Sequence, residues 1–350
     1  APAQHPLRCG VTHDAEIASL LSAITASKPQ SAQRSGLLKS LLENVVLLAE
    51  QDPDTLDLKI AETALAELVE AFEVFAPYRA IPKVTIFGSA RTPVSHPLYL
   101  LTKAFAAAMA QEGWMIITGA GPGIMAAGIE GAGRENSFGV NIRLPFEQGA
   151  NEFIASDVKL VEMRYFFTRK VALTKESKGF AIFPGGYGTL DECFELLTLL
   201  QTGKAVPAPV VLIDTPDGHY WKDWLHFVRE AVIREGYVSP LDHRFFTIAS
   251  DVETAQKHLT SFYRNYHSMR MVGSRMVLRM QKGPNEEQLS DIRRRFGHFV
   301  TEGAIEIIDA TGPERASNDE VGLDRIAFSF DRRSYGDVRD LISVINSWSD

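Results

Sequence analysis

Pro184-Gly185-Gly186-Tyr187-Gly188-Thr189 is the stretch of this 350-residue chain whose residue types and spacing are best suited to chemistry. It follows the short apolar run Phe180–Phe183 and precedes a helical pattern that begins near Leu190. Three glycines let the backbone turn tightly and approach a ligand without Cβ clashes. Amides at a helix start have no intrahelical acceptor and carry partial positive charge, which suits a phosphate. Pro184, Gly185, Gly186, Gly188 and Thr189 are therefore candidate binding residues for a 5′-phosphate. Thr189 either caps the helix or gives its hydroxyl to a phosphate oxygen. A plain strand-to-helix turn is the alternative reading of the loop. Glu192 also has two readings: a capping-box partner of Thr189, or a carboxylate that faces the ligand's sugar.

Two further glycine-rich turns follow apolar runs. Gly88-Ser89-Ala90-Arg91 offers a hydroxyl and a guanidinium, although Arg91 equally suits a solvated surface position. Thr118-Gly119-Ala120-Gly121-Pro122-Gly123 approaches the dinucleotide fingerprint, but Ile124 stands where Gly or Ala must close it, so NAD or FAD in the usual mode is not expected. No GxxxxGK[ST] occurs, which removes an ATPase P-loop. Gly88, Ser89, Gly119, Gly121 and Gly123 are read instead as a backbone wall beside a mononucleotide. The segment Met163-Arg164-Tyr165-Phe166-Phe167-Thr168-Arg169-Lys170 places a basic pair at the start of an otherwise apolar helix. Arg169 offers planar, bidentate donors to phosphate or carboxylate. A solvated pair on an amphipathic surface is the other reading.

The elements that must position these loops are legible as alternating patterns. Candidate strands are Val84–Gly88, Met115–Thr118, Gly139–Ile142, Val158–Val161, Phe180–Phe183 and Val210–Ile213. Helical stretches Leu98–Glu112, Ile124–Arg134, Phe166–Lys175, Leu190–Gln201 and Tyr220–Glu235 lie between or after them. This β-α alternation predicts an α/β fold, a Rossmann-like doubly wound parallel sheet with helices on both faces. Ligands in such sheets sit at the carboxyl ends of the strands, so the three glycine turns should open on one rim. Residues 1–80 form a helical N-terminal unit, with helices at Asp14–Ala26, Ser35–Glu50 and Leu56–Phe75 and no evident chemistry. Residues 81–266 form the nucleotide-binding unit. Residues 267–350 form a small α+β unit, with strands Arg275–Met280, Ile305–Ile308 and Arg325–Phe330 and helices Glu286–Phe299 and Ser334–Trp348.

Composition narrows the class. Forty-four acidic against 36 basic side chains give a net charge of −8, which argues against a nucleic-acid partner. Cys9 and Cys193 belong to no CxxC or Cys/His cluster, so neither a metal site nor a disulfide framework is expected, and a cytoplasmic setting is the default. The opening residues Ala1–His5 show no basic segment leading into an apolar one, so no signal peptide is expected. No apolar run approaches membrane-spanning length. Arg270, Arg275, Arg279 and Arg293-Arg294-Arg295 admit an effector site in the C-terminal unit, a solvated basic face or a subunit contact.

Taken together these residues resemble the LONELY GUY (LOG) family of nucleoside monophosphate phosphoribohydrolases, long labelled lysine decarboxylases. The family's PGGxGTxxE signature is matched without a gap from Pro184 to Glu192, and its upstream Arg-Lys by Arg169-Lys170. Gly121-Pro122-Gly123-Ile124-Met125 is similar to the family's GGGxxGLM-type turn, with Ala120 in place of the central glycine. The segment from Met163 to Lys170 is longer than the MxxRK of the plant-type enzymes and similar to the bacterial branch. The resemblance covers about Lys83 to Tyr263 and implies hydrolysis of the N-glycosidic bond of AMP or related purine or cytokinin ribotides, without a cofactor. It implies catalytic roles for Arg169 and Glu192, and substrate contacts by Met163, Lys170 and the glycine loops. It also implies a homodimer or higher homo-oligomer. A non-catalytic nucleotide or molybdenum-cofactor carrier of the same superfamily fold is the alternative, since such a carrier needs the loops but not the Arg169/Glu192 pair.

Overall fold

The computed structural model describes residues 13–26, 31–143 and 149–349. Cys9 lies outside them. The chain divides into two compact units between Leu65 and Ala66. The first holds α1 (Asp14–Thr25), α2 (Ala32–Glu50) and the opening of α3 (Thr55–Phe75). Ser31 caps α2 by accepting from the Arg34 amide, and Asp54 accepts from the Leu56 and Asp57 amides at the start of α3. These side-chain caps replace the acceptors that the first helical amides lack.

The second unit is built on parallel strands. In chain order they are β1 (Lys83–Phe87), β2 (Met115–Thr118), β3 (Ser137–Ile142), β4 (Leu160–Met163), β5 (Gly179–Ile182), β6 (Val210–Ile213) and β7 (Phe246–Ala249). Among the described residues they form one seven-stranded sheet of order β4-β3-β2-β1-β5-β6-β7, with every pairing parallel. The intervening helices are α4 (Pro97–Gln111), α5 (Ile124–Ala132), α6 (Phe166–Lys175), α7 (Tyr187–Gln201), α8 (Tyr220–Phe227) and α9 (Val252–Ser261).

Side chains alternate across a strand, so each strand feeds two cores. Val84 and Ile86 of β1 pack with Phe105 and Met109 of α4 and Leu259 of α9 on one face. Phe87 of β1 packs with Phe75 of α3, Leu173 of α6 and Leu196 of α7 on the other. Both faces are covered, as an all-parallel sheet requires. The doubly wound, Rossmann-like arrangement predicted from the alternation is present.

Strand order reverses between β1 and β5. The chain leaves β1 for α4 on one face and leaves β5 for α7 on the other, which makes this the switch point beside which ligands bind in such sheets.

The rest of the second unit carries an antiparallel sheet of β8 (Tyr266–Val272), β9 (Arg275–Met280), β10 (Glu306–Ile307) and β11 (Asp324–Ser329) in the order β10-β11-β9-β8. Helices α10 (Glu286–Phe296), α11 (Gly312–Ser317) and α12 (Tyr335–Asn346) accompany it. Its core residues Met276, Leu278 and Ile342 belong to the same buried cluster as Leu196 and Trp221.

Four elements differ here from the sequence expectation. Strand β4 lies two residues later than Val158–Val161, with Val158 left 82% exposed. Strands β7 and β8 were not anticipated. The turn Gly273-Ser274, with Gly273 at φ +63°, joins β8 to β9 as a two-residue hairpin and is the signal that would have revealed β8. Finally, α8 ends at Phe227, and a π-helical turn over Val228–Ile233 continues it.

Candidate active site

The three glycine turns meet at the strand-order reversal. The Ser89 amide donates to the Pro184 carbonyl at 3.1 Å, tying the loop after β1 to the loop after β5. The Ser89 carbonyl accepts from the Ile124 amide at 3.0 Å, tying the same loop to the one after β2. Gly123 shows why glycine is needed here: at φ +66°, a Cβ would lie 2.3 Å from the Ser89 carbonyl oxygen. Gly88 meets Ile124 as closely, and Gly121 lies against the Met125 methyl. Ala120, which replaces the glycine of the family turn, takes a left-handed φ of +59°. Asn151 holds it there, donating from its backbone amide and its side-chain amide to the Ala120 carbonyl at 2.8 and 2.9 Å. Such a conformation in a non-glycine residue persists only where its surroundings over-determine it.

Helix α7 starts at Tyr187, earlier than the expected Leu190, with Gly186 as its N-cap. That corrects one reading of the sequence. Thr189 lies inside the first turn, where its own amide donates to the Gly186 carbonyl at 3.1 Å. It is not the cap, so Glu192 is not the far half of a capping box. Tyr187 and Gly188 supply the first two helical amides, which have no acceptor within the helix. The Thr189 hydroxyl is folded under Gly185, against the position a Gly185 Cβ would take. Tyr220 at the start of α8 braces the loop from outside, donating its hydroxyl to the Gly185 carbonyl at 2.7 Å.

Glu192 is buried, as is its neighbour Cys193, and it projects one turn beyond Gly188. Lys170 of α6 reaches it across the helix pair: its Nζ lies 3.3 Å from Glu192, 2.9 Å from Asp191 and 2.5 Å from Glu195. Burial pushes the Glu192 carboxyl above the ordinary range, while Lys170 and Arg169 pull it down without cancelling the rise. For Lys170, burial favours the neutral amine, but contacts with Glu195 and Asp191 and the field of Glu192 overcome it and hold the ammonium firmly. Arg169 donates its Nε to the Val140 carbonyl at 2.9 Å, and its guanidinium packs against Gly119, where any Cβ would strike Nη2. Gly119 is thus required by a side chain as well as by the turn.

The structure therefore brings together Gly88, Ser89, Gly119, Gly121, Gly123, Pro184, Gly185, Gly186, Gly188, Thr189, Arg169, Lys170 and Glu192. Met163 behaves differently. It ends β4 at the same edge of the sheet, yet its side chain is fully buried in the hydrophobic core.

Sequence reasoning missed Glu67, on the part of α3 that belongs to the second unit. Its buried carboxylate accepts from the Arg164 amide at 2.5 Å and from the Thr168 hydroxyl at 2.5 Å, capping the start of α6 from outside the helix. An anion at a helix N-terminus satisfies orphan amides and the dipole together. Glu67→Ala strands those donors in a buried setting and is expected to lower unfolding free energy by about 1–3 kcal/mol. Urea unfolding measures it, and a change below the resolution of that experiment refutes the capping role.

The arginines that admitted an effector site all have partners within the second unit. Arg279 pairs with Glu314 and Asp319, Arg270 with Asp319 and Arg275 with Glu306. Arg293 donates to the Ile305 carbonyl, and Arg294 and Arg295 pair with Asp291. This is an internally neutralised surface. Among the described residues no helix is long and apolar enough to cross a membrane.

Comparison with known proteins bears on the same region. Residues 119–259 match a family model described as a possible lysine decarboxylase. The chain is 36% identical over 99 residues to the probable cytokinin riboside 5′-monophosphate phosphoribohydrolase LOGL3 of Oryza sativa subsp. japonica, covering 28% of this chain and 44% of the relative. It is 36% identical over 94 residues to LOG3 of Arabidopsis thaliana, a cytokinin riboside 5′-monophosphate phosphoribohydrolase, covering 27% and 42%. These matches support assignment of the region to the LOG family. A Mycobacterium tuberculosis LOG relative, also a cytokinin riboside 5′-monophosphate phosphoribohydrolase, is 28% identical over 174 residues, covering 47% of this chain and 87% of the relative. The chain spans less than half the length of the two plant LOG proteins it matches.

Proposed function

We propose that the protein hydrolyses the N-glycosidic bond of nucleoside 5′-monophosphates, AMP or a related purine or cytokinin ribotide, to free base and ribose 5-phosphate. The observation that carries this reading is a buried carboxylate, Glu192, one helical turn beyond a glycine loop at the convergence of three strand ends. Four residues of helix advance about 6 Å, so a phosphate on the Tyr187 and Gly188 amides leaves its ribose beside Glu192. The names of the LOG relatives agree with this chemistry.

Hydrolysis breaks the bond from C1′ to the base nitrogen, forms one from C1′ to water oxygen, and moves a water proton to the departing base. Positive charge builds on the ribose as the old bond lengthens, and the Glu192 carboxylate stabilises it while holding the ribose hydroxyls or orienting the water. Arg169 acts through its fixed charge, since a guanidinium does not give up a proton near neutral pH. The phosphate grip supplies binding energy, remote from the reacting bond, that distorts the ribose. Lys170 is poorly suited to Schiff-base chemistry, because its carboxylate partners keep it protonated.

The same reading carries a cytoplasmic setting and a homo-oligomer. Phe166, Phe167 and Val171 on α6 are half exposed beside the site, as a subunit contact would require. The test incubates the pure protein with AMP, GMP, CMP, UMP and a cytokinin ribotide and measures free base and ribose 5-phosphate. Turnover of at least one is expected. Binding without turnover of any would replace the hydrolase by a nucleotide carrier.

A further inference from the structure

Lys170 contacts three carboxylates and sits between two helices that both carry catalytic candidates. Asp191 and Glu195 lie four residues apart on one face of α7, and Glu192 is one step round the helix from Asp191. The side chains grade from solvent to interior: Asp191 is 60% exposed, Glu195 35%, Lys170 15% and Glu192 10%. The ammonium therefore faces two outer acids and one inner acid at once. Without it, Glu192 would be a carboxylate in a desolvated position with two like charges on the same helix turn. Burial and like charge both favour protonation of such a group.

We infer that Lys170 is a positioning residue for Glu192: its ammonium, clasped by Asp191 and Glu195, fixes the inner carboxylate in place and keeps it ionised. The inference deepens the hydrolase reading and rests on it for its kinetic consequences. It differs from the substrate contact that the sequence suggests for Lys170, because an ammonium engaged by three carboxylates must leave them to reach a phosphate on the glycine loop.

The two roles separate in kinetics. Lys170→Met is expected to lower kcat at pH 7 by about tenfold or more, to leave KM little changed, and to move the acid limb of the rate profile up by about 1–3 pH units. Lys170→Arg restores the limb, since it keeps the charge. Lys170→Gln removes the charge with a different side chain and keeps the test informative if Lys170→Met fails to fold. A raised KM with an unmoved acid limb would show a phosphate contact and overturn the inference, as would no change in either quantity. Titration of the ¹³C-labelled glutamate carboxyls by NMR, with Glu192→Gln assigning the signal, decides the matter without turnover. An upward shift for Glu192 in Lys170→Met or Lys170→Gln supports positioning; an unmoved signal overturns it. If the wild-type protein hydrolyses no monophosphate, the hydrolase reading fails while this titration still judges Lys170.

Discussion

Glu192→Gln is expected to reduce kcat for the preferred monophosphate by about 10²–10⁴-fold while nucleotide binding survives. Glutamine matches the carboxylate in size and lacks its negative charge, so only the electrostatic and proton-handling role is removed. The glycine loop proposed to hold the phosphate lies outside the substitution, so KM should stay within a few-fold of wild type. Stability should not fall at neutral pH. The native pKa of Glu192 is raised, so its contribution to stability is fully present below the unfolded-state value and is lost as pH rises through the folded-state value. At neutral pH the buried charge is a cost that glutamine avoids. Lys170 still has Asp191 and Glu195 as partners in the variant. The wild-type rate should decline on acidification as Glu192 takes up its proton, above the ordinary glutamate value of about 4.3. Steady-state kinetics across pH, with thermal unfolding of both proteins, checks each part. A folded variant with wild-type kcat removes Glu192 from the mechanism.

Gly185→Ala is expected to weaken nucleotide binding strongly. An added Cβ would stand 2.2 Å from the Thr189 hydroxyl oxygen, 2.7 Å from its Cβ and 2.9 Å from the Ser89 amide nitrogen. The first contact could be eased by turning a side chain. The other two involve an atom fixed to the backbone and the amide that ties β1 to the Pro184 carbonyl. The loop must move, and overpacking of this kind costs about 1–3 kcal/mol, or roughly 5- to 150-fold in affinity if it falls on the bound state. Gly186 and Gly188 provide the contrast, since open space surrounds both positions. Calorimetric titration with a non-hydrolysable monophosphate should show the loss at Gly185 and much less at Gly188. Equal effects at both would mean that backbone freedom, and not space, is what the loop needs.

These expectations show how far residue order alone reaches. Alternating apolar runs and helical patterns are local properties, and they place most of the strands and the three glycine turns because period and turn chemistry act within a few residues. They fail where the signal is short or shared. Val158 is apolar enough to suggest a strand, yet the pairing with β3 begins at Leu160 and leaves Val158 in solvent. Strand β7 is four residues at the sheet edge, paired to β6, and its β-forming Phe246, Thr247 and Ile248 make a run too short to stand out in the sequence.

For the site, the sequence by itself determined the residue types: a glycine loop leading into a helix, an acid one turn on, and a basic pair upstream. Only the tertiary structure decided what each of them touches. It moved the start of α7 to Tyr187, so Thr189 and Glu192 became interior helix residues and not a cap and its partner. It turned Lys170 to a cluster of acids, laid Arg169 on Gly119, and brought Glu67 to the start of α6 from about a hundred residues upstream. The Pro184–Thr189 loop is thus written in the chain. Its chemistry depends on contacts between helices far apart in sequence, and burial and charge in that shared space set the state of Glu192.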